Sequence, residues 1–322
     1  YEVATEQFKL SSSEKPIFVP EKGNINLNET ADALVVKGER FEAVFSKKEG
    51  TLSAYTLNNV PLMSKGLELN LFRAPTDNDK QVSGDWQRKG LYQLQAETGK
   101  WETHQEEDRI ILHIRNCHKG KLGFEYRTEM EYTVNADGSI MVNSVIMPVS
   151  DGEIIPRVGY RMELPEGFER MRWYGRGPWE NYSDRKASAM VSIYNCKVSA
   201  LGFDYVMPQE NGNRCDVRWF ALQSDKAGVM IVGDEPLSVS VWEMSQNAID
   251  KAKHINELEK DLYSNTLNID LVQAGVGGTD SWSLKARPSI DKRLLKGSYS
   301  YGFTFVPLGR DANLKEMGRK IY

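Results

Sequence analysis

FEYRTEMEYTV, the run from Phe124 to Val134, alternates without a break. Phe124, Tyr126, Thr128, Met130, Tyr132 and Val134 fall on one side, and Glu125, Arg127, Glu129 and Glu131 on the other. A side-chain period of two belongs to an extended strand. One apolar face and one charged face belong to a half-buried antiparallel strand that is wet on one side. Thr128 is the only polar member of the apolar face. Asn135-Ala136-Asp137-Gly138 then supplies turn chemistry before Ile140, Val142 and Ile146 resume the period.

The same alternation recurs in RIILHIR (109–115), LSVSVW (237–242), LNIDLV (267–272) and YSYGFTF (299–305), with turns such as Lys47-Lys48-Glu49-Gly50 between strands. Only Ser245–Leu258 carries a helical pattern, with Ser245 as N-cap and Ile249, Ala252, Ile255 and Leu258 spaced three to four apart. Many short strands with almost no helix predict an all-β fold, a sandwich or barrel, and exclude an α/β nucleotide-binding fold. The N-terminal stretch differs. Val3–Leu10 fits a single strand, and Ser11–Glu29, with Pro16, Pro20 and Gly23, fits a linker. The expected division is therefore a strand of another domain in 1–10, a linker in 11–30 and the main domain in 31–322.

Bulk properties narrow the function. The 322 residues are 40% hydrophobic and 27% charged, enough for one large β domain or two modest ones. Net charge is −4 and no Lys/Arg run occurs, which disfavours a nucleic-acid partner. No apolar stretch approaches the roughly 18 residues of a membrane span, so no membrane partner is expected. Tyr1 stands where an intact chain would carry Met, and no signal-peptide pattern follows. A piece of a longer polypeptide is the expectation, with the compartment open between cytoplasm and periplasm. Cys117, Cys196 and Cys215 lack a C-x-x-C spacing, which predicts three buried, inert thiols and no structural zinc.

Four segments mix Gly, Pro, aromatic and polar residues: Arg73–Asp79, Gly175–Arg185, Pro208–Arg214 and Gly275–Ser283. Loops of this kind at strand ends commonly carry binding chemistry. In the first, Arg73, Asp77, Asn78 and Asp79 present acceptors to sugar hydroxyls or a cation. Alternatively they form an Asx-turn backed by a buried Arg73–carboxylate pair. Its spacing does not match an EF-hand. In the second, Trp179, Glu180, Asn181, Tyr182, Asp184 and Arg185 combine aromatic plates with planar polar groups, as a sugar's apolar face and hydroxyl rim require. Alternatively Trp179 and Tyr182 pack beneath the loop while Asp184 and Arg185 cap it. In the third, Glu210 lies beside Asn211 and four residues before Arg214. That arginine would keep it charged, suiting binding better than acid catalysis. In the fourth, Gly275, Gly277 and Gly278 allow sharp turns that leave Trp282, near Asp280, at the tip of a mobile loop as a stacking surface; alternatively Trp282 packs into the core. The phosphate-loop pattern is incomplete.

These segments, as RAPTDND, WYGRGPWENYSDRK, MPQENGNR and GVGGTDSWS, resemble in sequence and in order the signature stretches of the C-terminal domain of large bacterial β-galactosidases of glycoside hydrolase family 2. The resemblance covers roughly residues 31–307, and Val3–Leu10 resembles the closing strand of the sandwich domain upstream in such enzymes. It implies a galactose mutarotase-like antiparallel β-supersandwich with at most one or two short helices. It also implies a multidomain, often oligomeric enzyme that hydrolyses β-galactosides with retention. By the same resemblance, the catalytic glutamates lie in an upstream TIM barrel, and Mg and Na belong to upstream domains, so no catalytic residue or cofactor is expected in this stretch. Trp282 is the position the resemblance assigns to the substrate. Asp280, Glu210, Asn211, Arg214, Trp179, Glu180, Arg73, Asp77 and Asn78 stand as further candidates.

Two other functions compete. An aldose epimerase needs a base and an acid near neutral pKa, most naturally His with Glu, yet none of His104, His113, His118 and His254 falls in the four segments. A purely structural or oligomerisation role is the other. One indole face contributes only ~1–2 kcal/mol to sugar affinity before ordering costs, so weak binding by the isolated chain is expected.

Overall fold

A computed structural model describes residues 5–8, 10, 19–149, 154–261 and 263–321. Every strand pairing among them is antiparallel. The run that opened the sequence forms the strand Glu125–Asn135, whose Tyr126, Thr128, Met130, Tyr132 and Val134 are all buried. Its two neighbours are Arg109–Lys119 and Ile140–Pro148, the latter joined through the expected turn with Gly138 at φ +91. The exception on its apolar face has a partner: the Thr128 hydroxyl lies 2.9 Å from Nε2 of buried His118.

A five-stranded meander of Asn26–Glu29, Ala33–Lys37, Phe41–Ser46, Thr51–Leu57 and Val60–Pro61 faces a larger, twelve-stranded sheet. The long strand Ala227–Trp242 divides the larger sheet. Its first half pairs with Tyr299–Gly309 and its second half with Ser264–Gln273. Through Ser264–Gln273 the branch continues to Arg157–Pro165 and then to Lys65–Asn70. Both sheets share one apolar core, in which Phe45 stacks edge-on to Tyr132 and Tyr55 to Phe305. Each such ring removed from water stabilises the fold by about 1.5–3 kcal/mol.

Several expectations need correction. Asn26–Glu29 is a strand paired with Ala33–Lys37, so the sheet begins inside the stretch assigned to the linker. The Val3–Leu10 strand falls partly outside the described residues, and Thr5–Phe8 carry no strand. The helix Gln246–Lys251 is capped by Ser245, whose side chain accepts from Ala248 N, but it stops at Ala252, where the backbone turns extended. Only a short 3-10 turn, Ile255–Glu257, follows. Two further short helices, Lys80–Arg88 and Leu314–Ile321, were not expected, although Leu314, Met317 and Ile321 recur at helical spacing; Trp86 is the one buried residue of the first. Cys117 and Cys196 are half-buried rather than buried; all three thiols are free, and burial pushes Cys117 and Cys215 up to about 11.

Candidate functional site

The four loop segments meet at one end of the branched sheet. Arg73 is wholly buried and grips Asp79 with two hydrogen bonds, Nε to Oδ2 at 3.0 Å and Nη2 to Oδ1 at 2.9 Å. Its remaining donors hold the fourth segment, reaching the carbonyls of Ala274 at 2.8 Å and Gly275 at 2.9 Å. Asn78 donates to the Val276 carbonyl at 3.2 Å. From the second segment, Asp184 accepts from Val276 N at 3.1 Å and Gly277 N at 2.8 Å. A Cβ on Gly275 would lie 2.3 Å from the Asp184 carboxylate, so that close approach requires glycine.

Beneath these loops lies a buried charge network. Arg157 Nη2 donates to Glu210 Oε1 at 2.9 Å, and its Nε lies 3.0 Å from Asp270 Oδ2, all three side chains being 0% exposed. Gln273 donates to Glu210 at 3.2 Å, and Gln246 accepts from Arg157 at 2.9 Å. Together with Arg73 and Asp79, two guanidiniums face three carboxylates in a buried interior. Such an excess of negative charge favours retention of one proton. Burial, opposed by Arg157, raises the pKa of both Asp270 and Glu210, so the retained proton belongs to the pair. The expectation for Glu210 is corrected here. Its cation is Arg157 rather than Arg214, and burial outweighs that partner and raises its pKa. Arg214 instead donates to the carbonyls of Leu201 and Gly212 at 2.6 Å and Pro178 at 3.0 Å.

The other candidates divide between frame and surface. Asn211 bridges Phe203 N and the Gln209 carbonyl. Glu180 accepts from Gly212 N at 2.7 Å and also pairs with Arg185 and the Tyr205 hydroxyl. Asp77 is exposed and paired with Lys80 at 2.9 Å, so each carboxylate of the first segment already has a cation beside it. No group of three or more His, Cys, Asp or Glu able to hold a metal occurs among the described residues. Tyr182 is buried under the cationic face of Arg185, whereas Trp179 is 68% exposed. Trp282 is 81% exposed, on a turn closed by Asp280, which accepts from Trp282 N and from Ser283 N and Oγ. Gln81 of the helix Lys80–Arg88 donates to the Trp282 carbonyl at 3.4 Å. Polar side chains, buried at Arg73 and exposed at Asp184, thus hold the loop backbones, and two indoles are left exposed.

Sequence reasoning missed Arg157, Asp270 and Gln273. Asp270 occupies the side of LNIDLV that alternation assigns to solvent, but in Ser264–Gln273 both faces are buried up to Asp270. The readable signal was Arg157 itself, a charged residue leading the strand Arg157–Pro165, whose next three positions are also buried.

A family model described as Beta galactosidase small chain matches residues 37–305. The chain is similar to a β-galactosidase of Priestia megaterium (strain DSM 319 / IMG 1521), 30% identical over 315 residues, covering 96% of this chain and 30% of that protein. It is also similar to a β-galactosidase of Vibrio cholerae serotype O1, 34% identical over 274 residues, covering 81% of this chain and 26% of that protein. Among solved structures, galactose 1-epimerase from Lactobacillus acidophilus NCFM matches with a TM-score of 0.44 at 9% identity, over 89% of this chain and 99% of that one. The chain therefore spans about 30% of the length of the first of these relatives.

Proposed function

The chain belongs to the β-galactosidase small-chain family, and from that premise we propose that it shapes the sugar site of a β-galactosidase without itself breaking the glycosidic bond. The observation that carries this reading is Trp282: a large indole, 81% exposed, on a backbone clamped by Arg73, Asn78 and Asp184. An exposed indole presents a flat apolar face, and a galactose ring has the apolar face to stack on it. A retaining glycosidase also needs two carboxyl groups about 5–5.5 Å apart that reach the substrate. Glu210 and Asp270 are sealed at 0% side-chain exposure, and Glu180 is spent on Gly212, Arg185 and Tyr205. This burial and pairing support a role outside the bond-breaking step.

Trp179, Phe203 and Val206, respectively 68%, 58% and 88% exposed, cluster around the Glu180–Tyr205 contact. This apolar surface suits docking of the remainder of the enzyme. No helix among the described residues is long and apolar enough to cross a membrane.

The test is a ligand-observed NMR titration of the 322-residue chain with galactose and lactose, on wild type and Trp282→Ala, beside a chromogenic β-galactoside assay. We expect binding in the millimolar range, roughly −4 kcal/mol, weakened by the substitution, and no turnover. Micromolar affinity independent of Trp282, or turnover abolished by Glu210→Gln, would overturn the proposal.

A further inference from the structure

Arg157 is the single cation set between Glu210 and Asp270 among the described residues, 2.9 Å from the first and 3.0 Å from the second. Arg73, the next guanidinium, acts on Glu210 across space but is bonded to both oxygens of Asp79. Fully ionised, the trio of Arg157, Glu210 and Asp270 would carry one more negative charge than positive, with all three side chains 0% exposed. Nothing answers that charge at the second oxygens. Asp270 Oδ1 and Glu210 Oε2 are sealed from solvent and have no hydrogen-bond partner among the described residues. Asp270 Oδ1 lies so close over Gly159 that an added Cβ there would meet it at 2.1 Å. An ionised carboxylate in that setting is costly, which is why the pair keeps a proton.

The other groups around the pair do not supply the missing positive charge. Tyr182 faces it from the second segment and Tyr301 from the strand Tyr299–Gly309; burial raises both phenols well above their usual range and so keeps them neutral. Glu180 is paired with Arg185, and Arg214 acts on Tyr182, Cys196 and Glu180. Gln246, Asn268 and Gln273 add neutral amides.

The same residues form the root of the Trp282 segment. Gln273, the last residue of the strand that carries Asp270, donates to Glu210 at 3.2 Å and to Asp270 at 3.4 Å. Ala274 follows, donating at 2.9 Å to the carbonyl of Pro156, the neighbour of Arg157, and accepting from Arg73 at 2.8 Å. Past Gly275 little of the segment is buried: residues 277–279, 281 and 282 are exposed. Segments with few buried contacts open at the lowest free energy.

We propose that a proton shared by Glu210 and Asp270 latches the root of the Trp282 segment, and that its loss as pH rises admits water beneath Ala274 and Gly275 and frees the segment. The sign follows from proton counts. The latched state holds one proton that the released state, with its carboxyls back near the ordinary value of about 4, does not. The latch is therefore complete in acid and weakens as pH climbs through neutrality, by up to about tenfold per pH unit while the pair still holds its proton. This regulates the same surface as the proposed sugar plate, but segment order is read without any sugar, so either proposal can fail alone.

The experiment is limited proteolysis of the whole chain by proteinase K between about pH 6 and 8.5, a window in which the shared proton is lost. Cleavage within 275–283 is divided at each pH by cleavage of a free peptide of that sequence. We expect the ratio to rise on the order of tenfold in the wild type. It should stay level in Asp270→Asn, whose remaining carboxylate is balanced by Arg157, and in Glu210→Gln for the same reason; the second variant serves if the first does not fold. A level wild-type profile, an equal rise in both variants, or a rise matched by cleavage throughout the strands would overturn the latch.

Discussion

Arg157 is wholly buried between Glu210 and Asp270, with a further 5.8 Å approach to the Trp242 ring. Removing one partner of a buried charge pair leaves the other unsolvated and costs about 3–5 kcal/mol. Arg157→Met is therefore expected to lower the urea unfolding free energy by that amount; a loss below about 1 kcal/mol would show that the network does not hold the loops. His118 is expected to contribute to the acid sensitivity of the fold. Burial depresses its folded-state pKa to about 4, against about 6.5 in an unfolded chain. Its contribution is present above pH 6.5 and is lost as pH falls toward 4, because only the unfolded state gains a proton in that window. The shift corresponds to on the order of 3 kcal/mol. Unfolding curves between pH 7 and 4 should be flatter in His118→Gln, and an unchanged slope would assign the acid sensitivity to the carboxylates.

At the level of single elements, the strands obey their sequences and the loops do not. Glu125–Asn135 was legible because one face meets the core and the other meets water, so polarity follows the pleat. Ser264–Gln273 was legible as a strand, but its polar side could not be told from a wet one. On that side Asn268 and Asp270, both 0% exposed, meet Arg157, which in turn bonds Glu210 and Gln246 from outside the strand. The Gly-rich segment 275–283 could be recognised as a turn, yet nothing in it names Asp184 as the acceptor for Val276 and Gly277. Asp184→Ala should release that turn with little effect on the core. Chymotrypsin, which cuts after exposed aromatics, is expected to cleave at Trp282 several-fold faster in the variant while the thermal midpoint holds. Equal cleavage rates would mean that Arg73 alone suffices to clamp the loop.

For the whole molecule, the exposed apolar surface around Trp179, Phe203 and Val206 is the feature that the core does not explain. Val206, 88% exposed, can take a charge at little cost to folding. Val206→Glu is expected to change unfolding free energy by less than about 0.5 kcal/mol. The same change should weaken association with a complementary β-galactosidase fragment lacking this region, read by recovery of activity on mixing; full recovery would exclude this surface from the contact. The sequence by itself determined the all-β class, the course of most strands and the family. Each of these rests on a local period or an ordered motif that survives in one dimension. The tertiary structure alone decided that Arg157, rather than Arg214, neutralises Glu210, that Asp184 clamps the Trp282 loop and that Thr128 answers a buried histidine. Those pairings join residues far apart in the chain, and burial, which sets their charge and their cost, exists only once the sheets have closed over them.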